Sequence, residues 1–246
     1  MPSPFTRRDL ISKSVIAAAL FATRPGMVIA ETFGRKPLDL TPNDACTLTC
    51  RATIGPCFYE GRVERRDITE RQPGLPTLLS FLVVNADTCR PVPGAAIDIW
   101  HANASGLYSG PISNMCTDGN VAAQTSTFLR GIQTTDADGW AHFNTIYPGW
   151  YSGRTPHIHS TVRLSSTELV TTQFFFSDDL NTKVYTTHPA YTPRGGANTT
   201  NVRDNVIGGS ASRVTPFLFQ PKLVDTSQLF ALKVIAVRTS ATTCNA

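Results

Sequence analysis

Seven short runs of alternating or continuous apolar residues, bounded by Gly, Pro, Asn, Asp and Thr, set the pattern of the chain from residue 77 onward. Leu78–Asn85 (LLSFLVVN) reads as a buried strand. After a turn at Cys89–Gly94, Ala95–His101 (AAIDIWH) alternates, with Ile97, Ile99 and His101 on one face and Asp98 and Trp100 on the other. Phe128–Thr135 and Trp140–Ile146 flank Asp136-Ala137-Asp138-Gly139, which predicts a hairpin turn. Thr155–Leu164, Leu169–Phe176 and Phe230–Arg238 complete the set. Helical periodicity is nearly absent, a short helix over Asp178–Tyr185 being the exception. Short strands punctuated in this way predict an all-β chain, a β-sandwich of mainly antiparallel strands with long loops and little helix. Residues 186–220, rich in Gly, Asn, Thr and Pro, form the longest of those loops, and loops of such length are usually functional or mobile.

The sandwich is expected over residues 77–246, preceded by an irregular segment over 31–76 and an address over 1–30. At 246 residues, 41% hydrophobic and 16% charged, the chain suits one globular domain with appendages. Of the net charge of +4, residues 1–30 hold +3 (Arg7, Arg8, Lys13 and Arg24 against Asp9), so the remainder is +1. That balance argues against nucleic acid and against a charged membrane surface as partners. Paired arginines, an apolar run from Val15 to Ala22 and the small-residue stretch before Glu31 read as a bacterial export signal of the twin-arginine type. The expected location is periplasmic or secreted, with no membrane association after cleavage.

Six cysteines, Cys46, Cys50, Cys57, Cys89, Cys116 and Cys244, follow the signal. An even count in an exported chain predicts disulfides, and the sequence does not choose among the fifteen pairings that six cysteines allow.

The chemistry concentrates in Tyr147-Pro148-Gly149-Trp150-Tyr151-Ser152-Gly153-Arg154-Thr155-Pro156-His157-Ile158-His159. Residues i and i+2 of a strand share a face, so His157 and His159 present two imidazoles side by side while Ile158 turns away. A tyrosine and an arginine lie just upstream on a Pro- and Gly-broken loop. Two imidazoles with a phenol and a guanidinium nearby point to a metal site with an anionic ligand set.

Several separated elements, in this order, resemble the intradiol ring-cleavage dioxygenases. They are Gly55-Pro56-Cys57-Phe58-Tyr59, then Ile99-Trp100-His101-Ala102 through Gly106-Leu107-Tyr108, Pro148-Gly149-Trp150-Tyr151, Arg154-Thr155-Pro156-His157-Ile158-His159, and Thr172-Gln173 with Asp178. The resemblance implies a non-haem ferric ion, Fe(3+), held by Tyr108, Tyr151, His157 and His159, with Tyr151 the axial tyrosine that substrate displaces. It implies insertion of both atoms of O2 into a catechol-type aromatic diol to give a muconate-type diacid. Hard phenolate oxygens suit Fe(III), and only a strong Lewis acid holds two tyrosines deprotonated at neutral pH. By the same resemblance Arg154 stabilises negative charge on the substrate and Gln173 hydrogen-bonds near the metal. Pro56, Cys57, Tyr59, Gly106 and Leu107 are expected to line the substrate pocket.

Tyr59, Tyr147, Tyr185 and Tyr191 lack the context of a ligand, His101 and His142 read as core or supporting residues, and His188 falls in the long loop. The gap between Tyr151 and His157 is short for the family, and the helical dimerisation region of some catechol enzymes is absent, so a homo-oligomer stays open. The rival reading is an exported β-sandwich binding module with a structural metal and no dioxygenase activity.

Overall fold

The computed structural model describes residues 46–61, 63–223 and 227–238. The export segment, residues 31–45 of the irregular segment, and Cys244 lie outside the described residues. Eight strands form two four-stranded sheets. One sheet has the order β4 (Trp140–Ile146), β1 (Pro76–Asn85), β8 (Leu229–Val237), β7 (Gln220–Leu223). The other has the order β3 (Arg130–Thr134), β2 (Ala95–Trp100), β5 (His157–Leu164), β6 (Thr167–Phe175). All pairings are antiparallel except β1 with β8.

The inner faces interdigitate in one apolar core. Leu79, Phe81 and Val83 of β1 meet Ile97 and Ile99 of β2, Ile158 and Val162 of β5, and Val170 and Phe174 of β6. The period of two then fixes what faces outward: His157 and His159 on β5, Trp100 on β2 and Gln173 on β6 lie on the far face of the second sheet. That face is not left to solvent. A second apolar cluster of Cys57, Trp100, Ala102, Tyr108 and Cys116, with Phe58, Ile112 and Tyr151 against it, roofs it over.

Two expectations change. The turn at Asp136–Gly139 forms, with the Asp136 side chain accepting from the Trp140 amide at 2.8 Å and Gly139 at φ 80°. Yet β3 and β4 lie in different sheets, so the turn is a corner between layers and not a hairpin. A turn signature fixes the local reversal, and the pairing partner is chosen by which sheet buries each strand. The second change is β7, a four-residue edge strand that carries Pro221 and lacks an apolar run; prolines are confined to such edges because they donate nothing to a ladder. The helix expected at Asp178–Tyr185 runs over Asp178–Thr187, capped by the Ser177 side chain accepting from the Leu180 amide. Short helices at Asn114–Thr117 and Val121–Gln124, and several one-turn helices within 186–220, go beyond the sequence reading.

Cys46 bonds Cys89 and Cys57 bonds Cys116, Cys50 is also disulfide-bonded, and no cysteine among the described residues is free. These bonds fit an oxidising, extracytoplasmic setting. Among the described residues no helix is long and apolar enough to cross a membrane.

Candidate metal centre

β5 begins at His157 because Pro156 offers no amide to a ladder. The strand carries His157 and His159 onto the outer face of the second sheet. Two loops bring in the phenols: the segment after β2 supplies Tyr108, and the Pro148–Arg154 loop supplies Tyr151. The loops meet at Gly149, where a Cβ would stand 2.1 Å from the Asn103 carbonyl oxygen. Any side chain there forces the two tyrosine-bearing segments apart.

The Tyr108 hydroxyl lies 3.3 Å from the Tyr151 hydroxyl and 3.2 Å from His157 Nε2. Tyr151 Oη is 3.1 Å from His157 Nε2, which is 3.2 Å from His159 Nε2. Tyr108, His157 and His159 are buried, and Tyr151 is partly so. His157 Nδ1 donates to the Thr155 carbonyl at 2.7 Å, which leaves the Nε2 lone pair facing the two phenols. His159 Nδ1 has no hydrogen-bond partner, and its ring is held by stacking on Trp100, with centroids 5.0 Å apart. Gly55, at φ +74°, brings its backbone against the same ring.

Burial pushes Tyr108 well above the ordinary phenol range, an effect that the nearby Tyr151 reinforces; burial also raises Tyr151. Burial likewise holds His157 and His159 well below the imidazole range, and Arg154 adds to this. Protein alone therefore leaves four neutral donors whose lone pairs crowd one point. Donors about 2 Å from a common ion sit at such mutual spacings. No group of three or more His, Cys, Asp or Glu capable of holding a metal occurs among the described residues, and here the two imidazoles are completed by phenols. Two phenols and two imidazoles match a hard trivalent ion, so the donor set fits a ferric centre.

Arg154 reaches over the cluster. Its Nε donates to Asp204 Oδ2 at 3.0 Å, one terminal nitrogen lies 3.5 Å from the Tyr151 hydroxyl, and the other donates to Gln173 Oε1. Gln173 Nε2 donates to the Thr53 carbonyl at 2.7 Å, so both ends of its amide are committed, one of them to Arg154. Asp204 is the residue that the sequence reading missed. It sits in the long 186–220 segment, is 4% exposed, and also accepts from the Thr155, Val206 and Ile207 amides. A lone Asp among Gly, Asn and Thr gives no local signal of this.

A cavity of about 440 Å³ opens onto the phenols, lined among others by Pro56, Cys57, Gly106, Met115, Ser152 and Arg154. Of the residues expected at a substrate pocket, Pro56, Cys57 and Gly106 line this cavity. Tyr59 and Leu107 lie outside the lining: Tyr59 packs its ring under Arg130, 4.8 Å away, and Leu107 is turned into a tight loop whose amide donates to the Asn103 side chain. His101 is buried, with Nδ1 donating to the Ala102 carbonyl and Nε2 accepting from Thr145. His142 meets Ser80, and His188 caps the turn before Tyr191.

Sandwich and site together define a β-sandwich protein with a buried centre of two tyrosines and two histidines beneath an arginine. The dioxygenase family model matches residues 55–190, and the chain belongs to the intradiol ring-cleavage dioxygenase family. It is 30% identical over 156 residues to catechol 1,2-dioxygenase 1 of Acinetobacter lwoffii, covering 53% of this chain and 47% of that protein. It is 29% identical over 149 residues to a chlorocatechol 1,2-dioxygenase of Pseudomonas putida, covering 51% and 52% respectively. The chain spans about half the length of these curated relatives. An intradiol ring-cleavage dioxygenase from Tetranychus urticae superposes over 81% of this chain and 99% of its own, with TM-score 0.68 and 25% identity.

Proposed function

We propose that this protein is an exported, ferric intradiol dioxygenase that opens a catechol-type aromatic diol with O2 to a muconate-type diacid. The observation that carries the reading is the convergence of Tyr108, Tyr151, His157 and His159 at 3.1 to 3.3 Å from one another, pair by pair where they touch. Ferric iron bound there supplies the Lewis acidity that ionises the diol and draws electron density out of the ring, opening a ring carbon to O2.

The chain's residues do the rest. His157 is locked by Thr155 in the tautomer that offers Nε2, and the His159 ring is held by stacking on Trp100 and by the Gly55 backbone against it. Tyr151, the more exposed phenol, lies beside Arg154 on the cavity side; with Tyr108, His157 and His159 it would hold the ferric ion and, as a phenolate, would take up a proton from the entering diol. Arg154 then offers positive charge to the ionised diol where negative charge builds. Pro56, Cys57 and Met115 offer apolar walls to the ring. Twin-arginine export and a periplasmic or secreted location belong to the same proposal.

Oxygen uptake with catechol, protocatechuate and hydroxyquinol tests it. Stoichiometric O2 consumption with a diacid product is expected; an iron-loaded protein that consumes none with any of the three is a binding module instead.

A further inference from the structure

The four strands of the second sheet set one row of residues across its outer face: Arg130 opposite Trp100, Trp100 opposite His159, and His159 opposite Gln173. Gln173 ends the row on one side and holds Arg154. Arg130 ends it on the other, and no step above uses it. Arg130 is 4% exposed, and Asp98 is the carboxylate whose charge acts on it. Burial lowers its pKa to about 10, which still leaves it charged at neutral pH. A buried guanidinium is costly, so its contacts need a reason.

Those contacts all lead to Tyr108. Arg130 Nε donates to the Ser109 carbonyl at 2.9 Å and lies 3.2 Å from the Ser109 hydroxyl. A terminal nitrogen donates to the Cys57 carbonyl at 2.7 Å. Cys57 is bonded to Cys116, and the Cys116 carbonyl accepts the Tyr108 amide at 2.9 Å. Guanidinium, disulfide and amide thus close a ring around the backbone that carries Tyr108. The Tyr59 ring covers the guanidinium's face and completes its enclosure.

We propose that Arg130 is a positioning residue of the metal centre: it clamps the Tyr108 segment to the Cys57 loop and keeps a positive charge within electrostatic reach of the Tyr108 oxygen once that oxygen binds metal. The proposal rests on the assignment of Tyr108 as a ligand. Arg154 and Arg130 then act as a pair on opposite sides of the centre, Arg154 toward the substrate and Arg130 toward the permanent phenolate. A fork is needed because two carbonyls in different segments are held at once, which a lysine ammonium reproduces poorly.

The test uses the full chain isolated with its iron, compared with Arg130→Gln and Arg130→Lys, and reads iron affinity and the visible tyrosinate-to-iron absorption. In Arg130→Gln the affinity is expected to fall by about 10- to 100-fold. Its absorption should move to longer wavelength, because phenolate electrons are held less tightly without the guanidinium. Arg130→Lys should lose affinity while keeping the band near its original position. A folded Arg130→Gln with both affinity and band unchanged overturns the proposal, and lost affinity with an unmoved band overturns its electrostatic half. Where Arg130→Gln does not fold, Arg130→Lys with unaltered affinity overturns it. A colourless parent protein overturns the ligand assignment and this inference with it, whereas a coloured parent with indifferent variants overturns this inference alone.

Discussion

Arg154 and Asp204, fifty residues apart, meet at 3.0 Å with the carboxylate fully buried, and that carboxylate also accepts the Thr155 amide two residues ahead of His157. One acidic side chain therefore sets both the charge over the site and the start of the histidine strand. Removing one partner of a buried pair leaves the other uncompensated, at a cost of about 3–5 kcal/mol. Asp204→Ala is expected to lose stability on that scale, seen in urea denaturation. Asp204→Asn, which keeps the shape, should fold and retain iron yet lose about 10- to 100-fold in kcat/KM because Arg154 is no longer aimed. Iron content and oxygen uptake on the same sample check this.

Acid should weaken the fold through His101. Its burial depresses the pKa to about 4 from an unfolded value of 6.5. As pH falls from 6.5 the unfolded chain takes up a proton that the native imidazole, donating from Nδ1 to Ala102 and accepting at Nε2 from Thr145, refuses. Stability from this group is full above pH 6.5 and declines toward pH 4, by roughly 3 kcal/mol in all. His101→Gln should flatten that part of the stability–pH curve measured by chemical denaturation.

Loading iron should release protons. Tyr108 and Tyr151 are kept protonated by burial, and His157 and His159 are kept neutral, so two phenolate bonds displace two protons and the imidazoles displace none. Apparent affinity should then rise about 100-fold per pH unit near neutrality. Chelator-buffered iron titrations at several pH values measure the slope, and a pH-independent affinity contradicts the two-phenol ligand set.

The cavity carries one guanidinium, already committed to Asp204 and Gln173, and otherwise Pro, Gly, Met, Ser and the Cys57–Cys116 disulfide beside the phenols. Among the described residues that line it, no cation is left free for a ring carboxylate. Catechol and alkyl-catechols are expected to exceed protocatechuate by about tenfold or more in kcat/KM. Met115→Glu, at an exposed wall position, should penalise the alkyl-catechols more than catechol itself.

Much of this was legible in the chain because strand alternation and local motifs carry it. Ile158 between His157 and His159 already assigns one residue to the core and two to the outer face, and the seven apolar runs become seven of the eight strands. What escaped depends on contacts far apart in sequence. Asp204 reaches Arg154 from a loop without periodicity, and Arg130 looks like an ordinary strand-end residue until the sheet sets it beside Trp100. The corner at Asp136–Gly139 was misread as a hairpin for the same reason: the turn is local, and the choice of sheet is not. Tyr59 shows the converse, a motif aromatic that serves the enclosure of Arg130 and not the cavity wall.

The most direct test of the dioxygenase reading is a single turnover of catechol by the iron-loaded protein under ¹⁸O2, with mass analysis of the product. The account predicts a muconate diacid bearing label in both carboxyl groups, cleaved between the two hydroxyl-bearing carbons. A semialdehyde from cleavage outside the diol, or unlabelled catechol recovered intact, contradicts it.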